Sequence, residues 1–125
     1  MVFSLLFMGT AWAEESWVFF YIEKEYFFEP PHMGIPLKPL YQRETYYYDE
    51  NSLQTSGLLA WKTAKAKVKI ESWGAYNNAE RIRIWEIDCA KKVIKTFTPE
   101  GRPLAPLSVD AGNEAADAFY DRLCF

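Results

Sequence analysis

The chain has 125 residues, half of them hydrophobic and 18% aromatic, which is enough apolar material for one packed core and excludes wholesale disorder. A formal charge of -3, with basic residues dispersed apart from a run at 62–69, excludes the footprint of a nucleic-acid binder. Two cysteines and one histidine exclude a cysteine-rich zinc site.

Residues 1–13 (MVFSLLFMGTAWA) are apolar from Val2 to Met8, and Ala11-Trp12-Ala13 follows as a small-x-small step before acidic Glu14-Glu15. This is the pattern of a secretory signal peptide, too short to span a bilayer, although no Lys or Arg precedes the apolar run. The alternative is an N-terminal core strand or a truncated anchor. Cleavage after Ala13 leaves a domain at 14–125 without a cysteine at the cleavage point, so no lipid anchor through a thiol is expected. No later run reaches the length of a membrane span. The expected location is exported, either periplasmic or at the cell surface. In an oxidising compartment Cys89 and Cys124 favour a bridge, whereas in a reducing one they read as two buried thiols.

Residues 17–23 (WVFFYIE) are β-branched and aromatic and predict a strand. Residues 29–39 (EPPHMGIPLKP) hold four prolines and a glycine, and predict a loop. Residues 41–48 predict a strand, broken at 49–52 by Asp-Glu-Asn-Ser turn chemistry. A further strand is expected at 58–63 (LLAWKT). At 65–71 (KAKVKIE) strict alternation puts Ala66, Val68 and Ile70 inward and the lysines on a solvated face, where they would also discourage edge-to-edge pairing. After a loop at 74–78, residues 81–89 alternate again, with Arg81 and Arg83 marking a partly exposed face. A tight turn at Ala90 leads into a strand at 91–98, and 99–103 is another turn. The one helix is expected at 111–123, capped by Asp110 or Asn113, with Ala116, Phe119, Tyr120 and Leu123 as its apolar stripe. These elements predict a single α+β domain: an antiparallel sheet of about six strands, with the C-terminal helix packed on it and tied by a disulfide.

Little of this is catalytic chemistry. His32 and Met33 are copper-type ligands without a third, and a Ser-His-Asp triad would rest on His32 with no nucleophile motif beside it. Glu86 and Asp88 share one face of a strand, where carboxylates more often bond turns or basic neighbours than transfer protons. No enzyme, metal or cofactor is expected. The aromatic load points instead to contact. Tyr46 and Tyr48 must face opposite to Tyr47, so one set packs inside and the other outside. The candidate interaction surface is Tyr46, Tyr47, Tyr48 and Asp49, together with His32 and Met33 of the proline-rich loop.

Four features then fall into one pattern. Tyr46–Asp49 precedes a serine-centred turn at Ser52, Gly57 and Trp61 follow, Glu86-Ile87-Asp88 leads into Cys89, and a helical segment from Ser108 to Arg122 ends at Cys124. Over residues 41–125 this resembles the bacterial surface-adhesin Protein E family. The resemblance implies a small exported α+β domain whose C-terminal helix is held by that disulfide, and binding to other proteins. The expected function is therefore an exported, non-enzymatic binding module that acts by protein–protein contact. One alternative is a periplasmic accessory protein that forms a homodimer through a sheet edge. Another is a small-ligand carrier with an aromatic pocket, which requires a cavity where aromatic and polar groups converge.

Overall fold

The structure is a computed structural model that describes residues 14–28, 39–74 and 78–125. The segment read as a signal peptide, most of the proline-rich loop with His32 and Met33, and residues 75–77 lie outside the described residues.

Among the described residues seven strands form one antiparallel sheet: β1 (Trp17–Phe28), β2 (Pro39–Asp49), β3 (Gln54–Ser56), β4 (Thr63–Trp73), β5 (Asn78–Asp88), β6 (Val93–Phe97) and β7 (Leu107–Ser108). The order is β1-β2-β4-β5-β6-β7, with β3 sharing one side of β4 with β2, and the sheet curls as an open half-barrel. Among the described residues one α-helix, α1 (Glu114–Leu123), closes the inner face. An α+β fold with a C-terminal helix and a Cys89–Cys124 disulfide is thus what the molecule has.

Period-2 alternation decides what is inside. Ala64, Ala66, Val68 and Ile70 of β4 face inward, opposite Trp85 and Ile87 of β5, which pair with Ala66 and Ala64. Tyr46 and Tyr48 of β2 lie beside Ile70 and Val68 on the same face. Phe20 of β1 follows Val18 onto the inner face by alternation, and a register shift between Phe19 and Tyr21 brings Tyr21 opposite Tyr46 beside it. Phe20 and Trp85 then meet fully buried Phe119 of the helix at ring separations of 5.3 Å and 5.1 Å. Aromatic pairs at such distances add about 0.5–1.5 kcal/mol each beyond area burial.

Asn113 is the helix cap. Its side-chain oxygen accepts from the Ala116 amide at 3.0 Å, and Glu114 and Asp117 occupy the positive first turn. The helix therefore begins three residues after the expected Ala111, because residues 109–112 form a turn with Asp110 and Gly112 at positive φ. Ala115 joins the predicted stripe, and Tyr120 sits at its margin.

Three other expectations change. Residues 58–63 are not a strand, because Leu59–Trp61 is a 3-10 turn and the pairing partner of β4 is the upstream Gln54–Ser56. With 58–63 lost and the short strands β3 and β7 gained, the sheet has seven strands among the described residues, close to the expected six. The lysines of β4 guard no edge, since β4 lies in the sheet interior with partners on both sides. Their face is solvated but occupied: Lys67 pairs with Glu15 at 2.6 Å, and Lys69 lies over the rings of Trp17 and Tyr47 at 4.7 Å and 5.0 Å.

Candidate functional site

Sequence reasoning put a contact surface at 46–49, and the structure divides those residues. Tyr46 and Tyr48 are core residues, so alternation assigns the inner face to them and leaves only Tyr47 on the outer one. Tyr47 packs edge-on against half-exposed Phe19, with ring centroids 6.2 Å apart. Burial, and Glu71 beside it, push its hydroxyl above the ordinary tyrosine range.

Asp49 is buried and structural. Its Oδ1 accepts the amides of Ser16 and Asn51 at 2.9 Å and 3.0 Å, tying the start of β1 to the turn after β2. Ser52 continues the knot: its hydroxyl donates to the Asp49 carbonyl at 2.8 Å and accepts the Lys67 amide at 2.9 Å. The serine-centred turn is thus a brace between β2 and β4. Asp88 has a similar role, accepting the Lys91 amide at 3.0 Å in the β5–β6 turn.

The surface that sequence reasoning missed lies at the disulfide end. Leu58 and Trp61 are each 79% exposed and Phe125 is 85% exposed, far more than Phe19, Trp73 or Leu104. Ala60, Lys62, Tyr120, Phe125 and the two bridged cysteines line an apolar groove of about 420 Å³ between the 3-10 turn and the chain's last residues. Tyr120 and Phe125 stack edge-to-face at 5.3 Å across one side of it.

That display is held in place. Gly57 has φ +80°, and a Cβ there would stand 2.5 Å from the Trp61 carbonyl oxygen, so only glycine lets the chain double back so closely. The Trp61 amide donates to the Leu58 carbonyl at 3.1 Å, and the Cys89 amide donates to the Lys62 carbonyl at 3.0 Å. The Cys89–Cys124 bridge then fastens the helix C-terminus to the same place. The clue in the sequence was Gly57 ahead of Leu-Leu-Ala-Trp. A glycine four residues before an exposed tryptophan marks a turn as readily as a strand start.

The opposite end of the inner face is polar. Beyond the reach of the helix, Glu44, Ser72, Arg81 and Arg83 continue the inward-facing rows of β2, β4 and β5. Glu44 gathers three donors: Tyr46 Oη at 3.0 Å, Ser72 Oγ at 3.0 Å and Arg81 Nη2 at 3.1 Å. Burial first, and then Glu44, push the Tyr46 hydroxyl far above its ordinary range. Tyr21 donates to Glu114 at 2.5 Å, and burial together with that carboxylate raises it to about 12.

Two clefts open here. One of about 820 Å³ is lined by Tyr21, Glu23, Asn113 and Glu114 among others, and one of about 310 Å³ by Arg81, Arg83, Trp85 and Thr96 among others. Among the described residues no group of His, Cys, Asp and Glu is placed to hold a metal ion, and no helix is long and apolar enough to cross a membrane.

Compared with family models, with curated proteins and with solved structures, the chain matches none.

Proposed function

We propose that this chain is an exported, non-enzymatic binding module of the surface-adhesin Protein E type that acts by protein–protein contact, with the disulfide end as its docking edge. The observation that carries this reading is the pair Leu58 and Trp61, exposed on a turn that Gly57 and the Cys89–Lys62 backbone bond hold fixed. Exposing a tryptophan and a leucine gains nothing in folding, whereas a rigid aromatic anchor lowers the ordering cost of association. A disulfide beneath the edge suits an oxidising compartment. The partner is a different polypeptide that presents apolar side chains to the groove, with an acceptor for Lys62, its one charged lining residue.

The test is site-specific photo-crosslinking from position 61 in the exporting cell. A heterologous adduct that disappears in a Leu58→Asp variant supports the reading. Absence of any adduct, or one indifferent to Leu58→Asp, contradicts it.

One observation favours the sheet-edge alternative. β1 is a 12-residue edge strand that pairs only with β2 among the described residues. Its free edge is partly claimed where Arg122 donates to the Phe19 carbonyl at 3.3 Å. Sedimentation of the purified domain separates the two readings. A monomer up to about 100 μM fits docking to another chain, whereas a dimer weakened by proline substitution on β1 fits edge pairing.

A further inference from the structure

We infer that the smaller polar cleft at the open end of the inner face binds a monocarboxylate with an apolar body, the carboxylate seated on Arg83.

Two arginines share one row of β5 and differ in what neutralises them. Arg81 and Arg83 face inward two residues apart, but their surroundings differ. Arg81 is paired with Glu44 at 3.1 Å, and the other two donors on Glu44 complete a neutral, closed network. Arg83 has no carboxylate within ion-pair distance among the described residues. Its Nη1 donates to the Ile82 carbonyl at 2.9 Å, which fixes the guanidinium plane while leaving its other nitrogens as donors. A second donor lines the same cleft: Asn113 spends its side-chain oxygen on the helix cap, which leaves its amide nitrogen available. Acceptors are spent correspondingly. Glu44 already accepts three donors, and buried Thr96 donates its hydroxyl to the Ala105 carbonyl at 2.9 Å.

The body of the ligand follows from the walls. Ile70, Trp85, Leu104 and Leu107 supply the apolar lining of a volume of about 310 Å³, at the small end of the range for ligand sites. A guanidinium beside such a lining matches a planar acid head on a hydrocarbon or aromatic tail, because Arg binds carboxylates through a two-point fork. The same chemistry could come from a free organic acid or from the C-terminal residue of a polypeptide, and the probes separate these sources. The site stands at the opposite end of the sheet from the docking edge and does not depend on it.

The experiment is a titration of the full domain followed by backbone and arginine side-chain NMR. The probes are 3-phenylpropionate, 3-phenylpropionamide, and a tetrapeptide ending in phenylalanine as the free acid and as the amide. Saturable shifts at Arg83 and Thr96 with Kd below about 1 mM for either acid, and at least tenfold weaker binding of its amide, support the site. Tighter binding of the tetrapeptide acid identifies a chain terminus, and tighter binding of the free acid a small metabolite-like ligand. Arg83→Gln should weaken binding by about tenfold or more, while Trp61→Ser leaves it unchanged. If Arg83→Gln loses its near-UV circular dichroism, Arg83→Lys takes its place, with a loss of about threefold or more because the fork is gone. A Kd above about 1 mM for both acids overturns the inference. So do amides that bind as well as acids, shifts confined to the disulfide end, or an affinity indifferent to Arg83.

Discussion

The two ends of one inner sheet face are built on opposite principles. At the disulfide end, the alternating rows of β2, β4 and β5 present Tyr48, Ala66, Ile87 and Trp85, and α1 covers them with Phe119 and Leu123. At the open end the same rows run on into Glu44, Ser72, Arg81 and Arg83, which bond one another or stand free in a cleft. The period of the strands is unchanged from one end to the other. What changes is the length of the cover, because a ten-residue helix spans about 15 Å and cannot roof an 11-residue strand of more than 30 Å. Closure at one end lends rigidity to an exposed apolar edge, and the lack of it at the other leaves charged groups in reach of a ligand.

Substitutions should separate the ends by size of effect. Phe119→Ala removes the helix's anchor between Phe20 and Trp85 and should cost about 3–5 kcal/mol in urea or guanidinium unfolding. Replacing both bridged cysteines by serine opens a loop of sequence separation 35 and should cost roughly 3–4 kcal/mol on the chain-entropy account. Gly57→Ala meets the Trp61 carbonyl and a positive φ together and should cost about 1–3 kcal/mol. The loss should be accompanied by a shift in Trp61 fluorescence, as the turn that presents it rearranges. At the open end the effect should be smaller: Glu44→Gln weakens three hydrogen bonds without emptying the core, for about 1 kcal/mol in the same unfolding assay.

The open end should also show itself at high pH. Tyr21, ordinarily near 10, is raised to about 12 in the folded protein, so the unfolded chain loses that proton first. The contribution to stability is complete below about pH 10 and is lost as pH rises toward 12. Tyr46 acts in the same direction. Denaturation midpoints measured across that window should fall, and Tyr21→Phe should flatten the fall.

Much of the fold was legible because alternation is strict. Ala66-Val68-Ile70 and Trp85-Ile87 announce one inner face, and Ala116, Phe119 and Leu123 announce what covers it. The same rule correctly separated Tyr47 from Tyr46 and Tyr48. It could not say which set was inside, because tyrosine suits either side of a sheet. The 58–63 segment was misread for a related reason: Leu-Leu-Ala-Trp is apolar enough for a buried strand, and only the close approach of Gly57 to the Trp61 carbonyl turns it outward. The clefts were illegible because they arise from where the helix stops. The start of that helix was set by the side-chain bond of Asn113, which competed in the sequence with Asp110.

Native-state hydrogen exchange of the oxidised protein reports whether the disulfide end holds an apolar docking edge rigid. The Cys89 amide, bonded to the Lys62 carbonyl at 3.0 Å, should exchange only through global unfolding. The Trp61 amide, bonded to the Leu58 carbonyl at 3.1 Å, should be slowed at least about a hundredfold relative to an unstructured peptide. Exchange of both at unprotected rates would mean that Leu58 and Trp61 sit on an unordered loop and that no rigid docking edge exists there.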